Sequence, residues 1–368
     1  MGTPADIAAL PRLTQSFDRS GRIPRVARRI RVAPAPRAGY EGRVTLTSRN
    51  PAPAVQDAVE EIAVDGAEQL EQLVNGLDGL EARDTATAGG AAAAVRRLTD
   101  ADLRRCSELG VSRDWGAEQR KWGLLFEVGE VYGIEDEAGK LIASTVLTRY
   151  GQGFGAISMV LVAPSHERQG YGRRIVQHVV DQAPGATLVL HATAEGRPLY
   201  ERLGFKPFGT VEAHVGVFDP TGARAGRSQA ATPEDLLQLA RLDHEVYGVH
   251  RTALLKRLPK FAERVRVLRN EEGLITGYGA LWRGDGLMGL GPVVAPDVAG
   301  ARDLITDLAE GVEDRLRLDV DVEGDDLSAW ACGHGLKPSY ACTHMVRGDG
   351  PLPMDQLRLH APMMCALG

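Results

Sequence analysis

Cysteine is scarce in this sequence. Its four residues, Cys106, Cys332, Cys342 and Cys365, are scattered over 368 positions, which suits reduced thiols and leaves no disulfide framework to build on. An excess of positive charge is also missing: the net charge is −6 and the pI is near 5.9. That balance gives no overall attraction to nucleic acid or to an acidic membrane, so neither is expected as a partner. There is no unbroken apolar run of roughly 18 residues of the kind a membrane span needs, nor the basic flank and apolar stretch of a signal peptide. A cytoplasmic location is the expectation. What is present in quantity is apolar residue, 43% of a chain longer than one typical domain, enough for at least two cores.

Residues up to Arg37 mix proline with Arg22, Arg25, Arg28, Arg29, Arg31 and Arg37 and read as an arm, either solvated or loosely packed or else suited to an anionic partner. A short strand is expected at 43–47. Val55, Val59, Ile62, Leu70, Leu73, Val74 and Leu77 then recur at helical spacing, which predicts an amphipathic helix. The Thr-, Gly- and Ala-rich stretch 84–94 has the composition of a linker, so 1–94 is read as an N-terminal extension. A capping-box-like start at Thr99 with Asp102 follows. Beyond it come strands at 130–134, 141–149 and 155–162, a helix over 171–182, a strand at 187–193 and a helix through Leu199 and Tyr200.

This unit is repeated. Val162-Ala163-Pro164 recurs as Val294-Ala295-Pro296 and Trp115-Gly116 matches Tyr247-Gly248, both at an offset of 132. Thr99 with Asp102 recurs as Thr232 with Asp235 at an offset of 133, and Gly204 with Lys206-Pro207 recurs as Gly335 with Lys337-Pro338 at an offset of 131. Four matches in one order at nearly constant offset point to a duplication. The copies span 95–220 and 226–348, joined across 221–227 and followed by a tail at 349–368.

In the first copy an apolar strand ends at Val162 and runs through a turn containing Gly170 and Gly172 into a helix. Such a turn aims free backbone N–H groups and the positive end of the helix dipole at one point, a cradle for phosphate. The glycines let the backbone approach a ligand, and Arg168 and Arg173 supply charge. The glycine spacing is that of neither a dinucleotide fingerprint nor a P-loop.

Glu167-Arg168-Gln169-Gly170-Tyr171-Gly172 resembles the Q/R-x-x-G-x-G/A coenzyme A signature of the GNAT acetyltransferase superfamily, with glutamate in place of the signature's first residue. A second block of that family is similar to Ala192-Thr193 and the run from Gly196 to Phe205. The resemblance covers about residues 95–218, and 226–348 resembles the divergent second domain of tandem GNAT proteins. It implies an α/β fold of two tandem GNAT-like domains, each a mixed twisted sheet flanked by helices, after the N-terminal extension.

It further implies an acyl-coenzyme A cosubstrate, acetyl or longer, and no metal. The strand 157–162, with Val160, Leu161 and Val162, would bind the pantetheine through its backbone. Arg168, Gln169, Gly170, Tyr171, Gly172 and Arg173 would hold the pyrophosphate. Tyr200 matches the tyrosine that protonates the departing thiolate in many family members, a proton transfer a phenol performs without prior ionisation. For the base that deprotonates the amine, His191 has a suitable intrinsic pKa, and Glu127, Glu130 or a water relay remain alternatives. In the second copy Asp297 stands where phosphates would sit and would repel them, so one site is expected, with the second copy completing the acceptor pocket or supporting the fold.

Cys332, His334, Cys342 and His344 form two C-x-H pairs, but their spacing is not that of a zinc knuckle, and Cys342 and His344 share a strand face by periodicity alone. The activity implied is N-acyl transfer to a primary amine of a small molecule or natural product, such as an amino sugar or an antibiotic. The rival readings are a protein N-acetyltransferase and a coenzyme A-binding regulator without turnover. The residues do not speak to oligomeric state.

Overall fold

Thr99 and Thr232 each open a copy in the same way. Each hydroxyl takes the backbone N–H three residues on, and Asp102 or Asp235 reaches back to the threonine N–H at 3.1 and 2.9 Å, a reciprocal capping box that satisfies two otherwise free donors. In this computed structural model the described residues are 94–223, 226–321 and 326–368. The arm, the strand at 43–47, the helix over 55–77, nearly all of the 84–94 linker and part of the 221–227 connector lie outside them.

The first half comprises β1 (Val95–Arg97), α1 (Leu103–Val111), α2 (Gln119–Val128), β2 (Glu130–Glu135), β3 (Leu141–Arg149), β4 (Phe154–Val162), α3 (Tyr171–Gln182), β5 (Thr187–Ala192), α4 (Arg197–Arg202) and β6 (Lys206–Gly216). The second comprises β7 (Gln229–Ala230), α5 (Leu236–Tyr247), α6 (Thr252–Leu255), α7 (Leu258–Phe261), β8 (Ala262–Arg269), β9 (Ile275–Arg283), β10 (Met288–Val294), α8 (Val298–Ala309), β11 (Leu316–Asp321), α9 (Leu327–Gly333) and β12 (Lys337–Arg347), and is followed by β13 (Leu359–Ala361). This is the α/β, tandem architecture expected from the sequence. The helices cover the sheet with apolar faces. In α3, for example, Ile175, Val176, Val179 and Val180 are buried, each such side chain stabilising by about 1.5–3 kcal/mol at most.

The strands join in one mixed sheet ordered β1-β2-β3-β4-β5-β12-β6-β11-β10-β9-β8-β7. The halves therefore exchange their last strands. β12 enters the first half between β5 and β6, pairing His344 with His191, while β6 enters the second half between β12 and β11, pairing His214 with Leu318. The exchange is tightly fitted: a Cβ on Gly216 would stand 2.1 Å from the Gly335 carbonyl oxygen.

Both copies also break register in the equivalent strand. The β3–β4 ladder shifts next to Met159, whose φ is 48°, and the β9–β10 ladder shifts between Leu290 and Val293, around Gly291. Such a bulge redirects a strand. β4 runs parallel to β5 only from Phe154 to Ala156, and β10 parallel to β11 only from Met288 to Leu290. Past those residues each parallel pair opens.

The two openings are not equivalent. In the second half β13 pairs antiparallel with β10 at Val293 and Val294, taking the strand edge that the opening exposes. Residues 349–368, read from the sequence as a tail, thus contribute β13 to the sheet. Their apolar side chains are the reason: Ala361, Met363, Met364, Ala366 and Leu367 are all buried. Trp282 Nε1 donates to the Met363 carbonyl at 3.1 Å, and a Cβ on Gly291 would meet the Pro362 carbonyl oxygen at 2.1 Å.

Candidate active site

The first-half opening has no such strand. β3 pairs with one edge of β4 through Leu161 and Val162, while no described strand pairs with the β5-facing edge beyond Ala156. Its outward N–H and C=O groups, those of Val160 and Val162 among them, are available to a ligand that adds like a strand.

At the end of that edge the chain turns through Arg168 (φ 57°) and Gly170 (φ 87°) into α3. Two left-handed residues so close turn successive N–H groups inward. Gly170 is the N-cap of α3 and no side chain caps the helix, so its first N–H groups stay free. Glycine at 170 answers the backbone angle, since an added Cβ would meet nothing within 4 Å. Among the described residues neither Arg168 nor Arg173 has an acidic partner, whereas Glu167 is drawn away into an ion pair with Arg113. Gln169 Nε2 donates to the Ser165 carbonyl at 3.1 Å, which ties the loop to itself. Tyr171 packs edge-on against His166.

The contrast with the second half is physical. There the helix N-terminus of α8 is capped by Asp297, whose carboxylate accepts from the Gly300 N–H at 2.8 Å. One of its free N–H groups is taken by the cap, and a negative charge stands in front of the rest.

A Cβ on Gly172 would lie 3.4 Å from Leu199 Cδ2 and 3.6 Å from Val162 Cγ2, so the helix carrying Tyr200 packs beside the first turn of α3, next to the end of β4. Tyr200 is buried, and burial pushes its phenol well above the usual tyrosine range, with the Cys342 thiol a smaller contributor. It stays protonated at neutral pH, as a proton donor must.

His191 lies on the other side of the sheet. Strand alternation places it with Val189, and Val189 packs with Ala156, away from the cluster that holds Leu188 and Leu190. His191 Nδ1 lies 3.0 Å from the Cys365 carbonyl oxygen. A carbonyl only accepts, so Nδ1 carries the hydrogen and Nε2 a lone pair. That Nε2 is buried and has no partner. Burial holds the imidazole below its ordinary pKa, against the opposing pull of Asp319.

The other two base candidates are engaged elsewhere. Glu127 pairs with Arg257 at 2.5 Å. Glu130 accepts from Arg149 and from Tyr132, each at 2.6 Å, and although burial opposes it, these bonds lower its pKa.

Ser158 was not singled out by the sequence. It follows Ala156 by two residues as His191 follows Val189, so the two stand level on opposite lips of the opening and on one face. Its Oγ is also buried without a partner. No motif could have marked it, because a serine in an apolar strand becomes informative only once the strands are seen to part there.

Among the described residues no three His, Cys, Asp or Glu side chains gather to hold a metal. The two C-x-H pairs engage different neighbours: His334 Nδ1 bonds the Asp219 carbonyl at 2.7 Å, while His344 stacks on His191. Nor is any described helix long and apolar enough to cross a membrane.

This architecture is that of the GNAT acetyltransferases. Profiles of the acetyltransferase (GNAT) domain match residues 127–207 and, separately, residues 239–361. The uncharacterized N-acetyltransferase YitH of Bacillus subtilis (strain 168) is 31% identical over 228 residues, covering 61% of this chain and 79% of its own length. Among solved structures, a Pyrococcus horikoshii protein classed as an acetyltransferase superposes with a TM-score of 0.63 at 15% identity, over 79% of this chain and all of its own. A tandem GNAT protein from the clavulanic acid biosynthesis pathway does so with a TM-score of 0.52 at 14% identity, over 71% and 99%. The chain belongs to the GNAT acetyltransferase family, with two GNAT domains in tandem.

Proposed function

We propose that the chain transfers an acyl group, acetyl or longer, from acyl-coenzyme A to a primary amine of a small molecule or natural product, at a single site in the first half. The observation that carries this reading is the unpaired edge of β4 leading directly into the uncapped N-terminus of α3. Residues 160–162 would bind the pantetheine as a strand, and residues 168–173 would take the pyrophosphate through backbone N–H groups and two arginines that have no acidic partner among the described residues.

The acyl donor supplies an activated carbonyl carbon. His191 Nε2 removes a proton from the acceptor ammonium, directly or through one water. The freed nitrogen lone pair forms the new N–C bond as the C–S bond breaks. Tyr200 gives its proton to the departing sulfur, and the second proton lost from nitrogen restores the phenol. The residual proton on His191 leaves to solvent.

The capped α8 and the β10 edge occupied by β13 support a second half that binds no coenzyme A. The full chain is expected to bind one equivalent of coenzyme A in calorimetry and to acylate members of an amine panel in mass spectrometry with acetyl- and octanoyl-coenzyme A. Binding without any acylated product would leave the regulator reading, and a stoichiometry of two would overturn the single site.

A further inference from the structure

His344 belongs to the second copy by sequence, yet the strand exchange sets it directly beside His191. The two imidazoles stack with centroids 4.1 Å apart and planes 18° from parallel, and Phe208 covers the other face of His344 at 4.0 Å. Both Nε2 atoms are buried and neither has a hydrogen-bond partner among the described residues. One orphaned buried nitrogen is unusual; two in one stack, with the orphaned Ser158 hydroxyl on the neighbouring strand, mark a place built to receive a polar partner.

Resting on the acyl-transfer reading above, we propose that His191 and His344 work as one unit contributed by both halves. The pair receives the acceptor amine's hydrogens at its two Nε2 atoms and takes up a single proton, carried by His191. His344 stays uncharged and positions the amine. The groups facing the pair make this division of labour. Asp319 and Asp321 of β11 and the Cys365 carbonyl favour charge on His191, and Arg317 of β11, paired with Asp319 at 2.8 Å, opposes it. At His344 burial and then the neighbouring His191 hold the imidazole well below the ordinary histidine range, although the Asp321 carboxylate lies near the same strand position: a Cβ on Gly209 would stand 3.7 Å from Asp321 Oδ2 and 3.9 Å from His344 Cβ. Two stacked imidazolium rings with centroids 4.1 Å apart would repel strongly, so the second proton is refused.

The test combines a titration that needs no turnover with kinetics. In the full chain labelled at histidine Cε1, NMR should show His191 protonating before His344 as the pH is lowered, and in His191→Phe the His344 resonance should titrate at higher pH than in the wild type. A His344 titration indifferent to His191→Phe would overturn the pairing, whether or not the protein proves to be an acyltransferase. In amine acylation, His344→Phe keeps a stacked ring but loses the nitrogen, and should lower kcat/KM by roughly tenfold to a hundredfold with coenzyme A affinity unchanged. His344→Gln, whose amide oxygen can accept in place of Nε2, should recover part of that loss. Full activity in His344→Phe would reduce His344 to packing and sink the proposal. A wild type that binds coenzyme A but acylates no amine would instead fail the acyl-transfer reading, and with it the catalytic use of the pair, leaving the coupled titration to be judged by NMR.

Discussion

The two helix N-termini differ by one charge, and moving that charge tests which of them binds phosphate. Gly170→Asp would place in front of α3 the kind of carboxylate that Asp297 places in front of α8. Space does not resist the change, because an added Cβ at Gly170 has no neighbour within 4 Å. The left-handed φ of 87° costs about 1 kcal/mol for a residue with a Cβ, and Asn and Asp tolerate it best. Gly170→Asn therefore serves as the control, carrying the same strain and size without the charge. A carboxylate roughly 5 Å from a phosphate, at an effective dielectric of about 40, is repelled by about 1.5–2 kcal/mol. Over two phosphates this comes to about 3 kcal/mol, a factor on the order of 100 in Kd. Calorimetry should thus show Gly170→Asp binding coenzyme A on the order of a hundredfold more weakly than Gly170→Asn, with similar Tm values for both. The gap should narrow as salt is raised, since the site is open to solvent. Equal affinities for the two variants would refute the assignment of the pyrophosphate to this turn.

Tyr200→Phe should lower kcat on the order of a hundredfold while leaving coenzyme A affinity within about twofold, checked by steady-state kinetics beside calorimetry; an unchanged kcat would remove Tyr200 from the proton path. Asp297→Ala deletes the cap of α8 and should cost about 1 kcal/mol in denaturant unfolding with no effect on coenzyme A binding. Gly291→Ala drives a Cβ to within 2.1 Å of the Pro362 carbonyl oxygen, and should destabilise by about 2–3 kcal/mol, read as a lower Tm, with a wild-type Tm refuting the packing of 362 over β10. Burial holds His191 and His344 below their ordinary pKa in the folded chain, whereas unfolded they take up protons near about pH 6.5. The unfolded state thus binds more protons below that value, and stability must fall as pH drops from 7 toward 5. A His191→Gln/His344→Gln double variant should lose less stability over that interval, and an identical slope would show the rings to be ordinary in the fold.

The sequence disclosed what is encoded locally. The capping residues Thr99 with Asp102 and Thr232 with Asp235, the helix at 171–182 and the paired glycines Gly204 and Gly335, both left-handed in the structure, depend on neighbours within a turn or two. Partner identity in a sheet is a different matter. β6 and β12 carry similar patterns and would satisfy the same ladder hydrogen bonds beside either β5 or β11, so alternation along each strand cannot say that they have exchanged places. Residues 359–361 are too short a run to stand out as a strand, and they become one only because the β10 edge is open to them. The match of Trp115-Gly116 to Tyr247-Gly248 shows the same limit from the other side. Both glycines hold a left-handed φ, but Trp115 is 45% exposed and Tyr247 is buried, because the repeat preserves the turn and not what packs on it.

The exchange also bears on the single binding turn proposed for this duplicated chain. With β12 against β5, the second half is part of the proposed first-half site whether or not it retains its own: it supplies His344 beside His191 and, through the segment that follows, the Cys365 carbonyl that fixes the His191 tautomer. That same segment must cross β10 to get there, and in crossing it pairs with Val293 and Val294, the edge a second pantetheine would require. Filling the second opening and walling the first are therefore consequences of one chain path. Restoring a phosphate turn in front of α8 would leave the β10 edge still occupied, so Asp297→Gly alone should gain no coenzyme A binding, and removing β13 to clear that edge would withdraw Cys365 from His191.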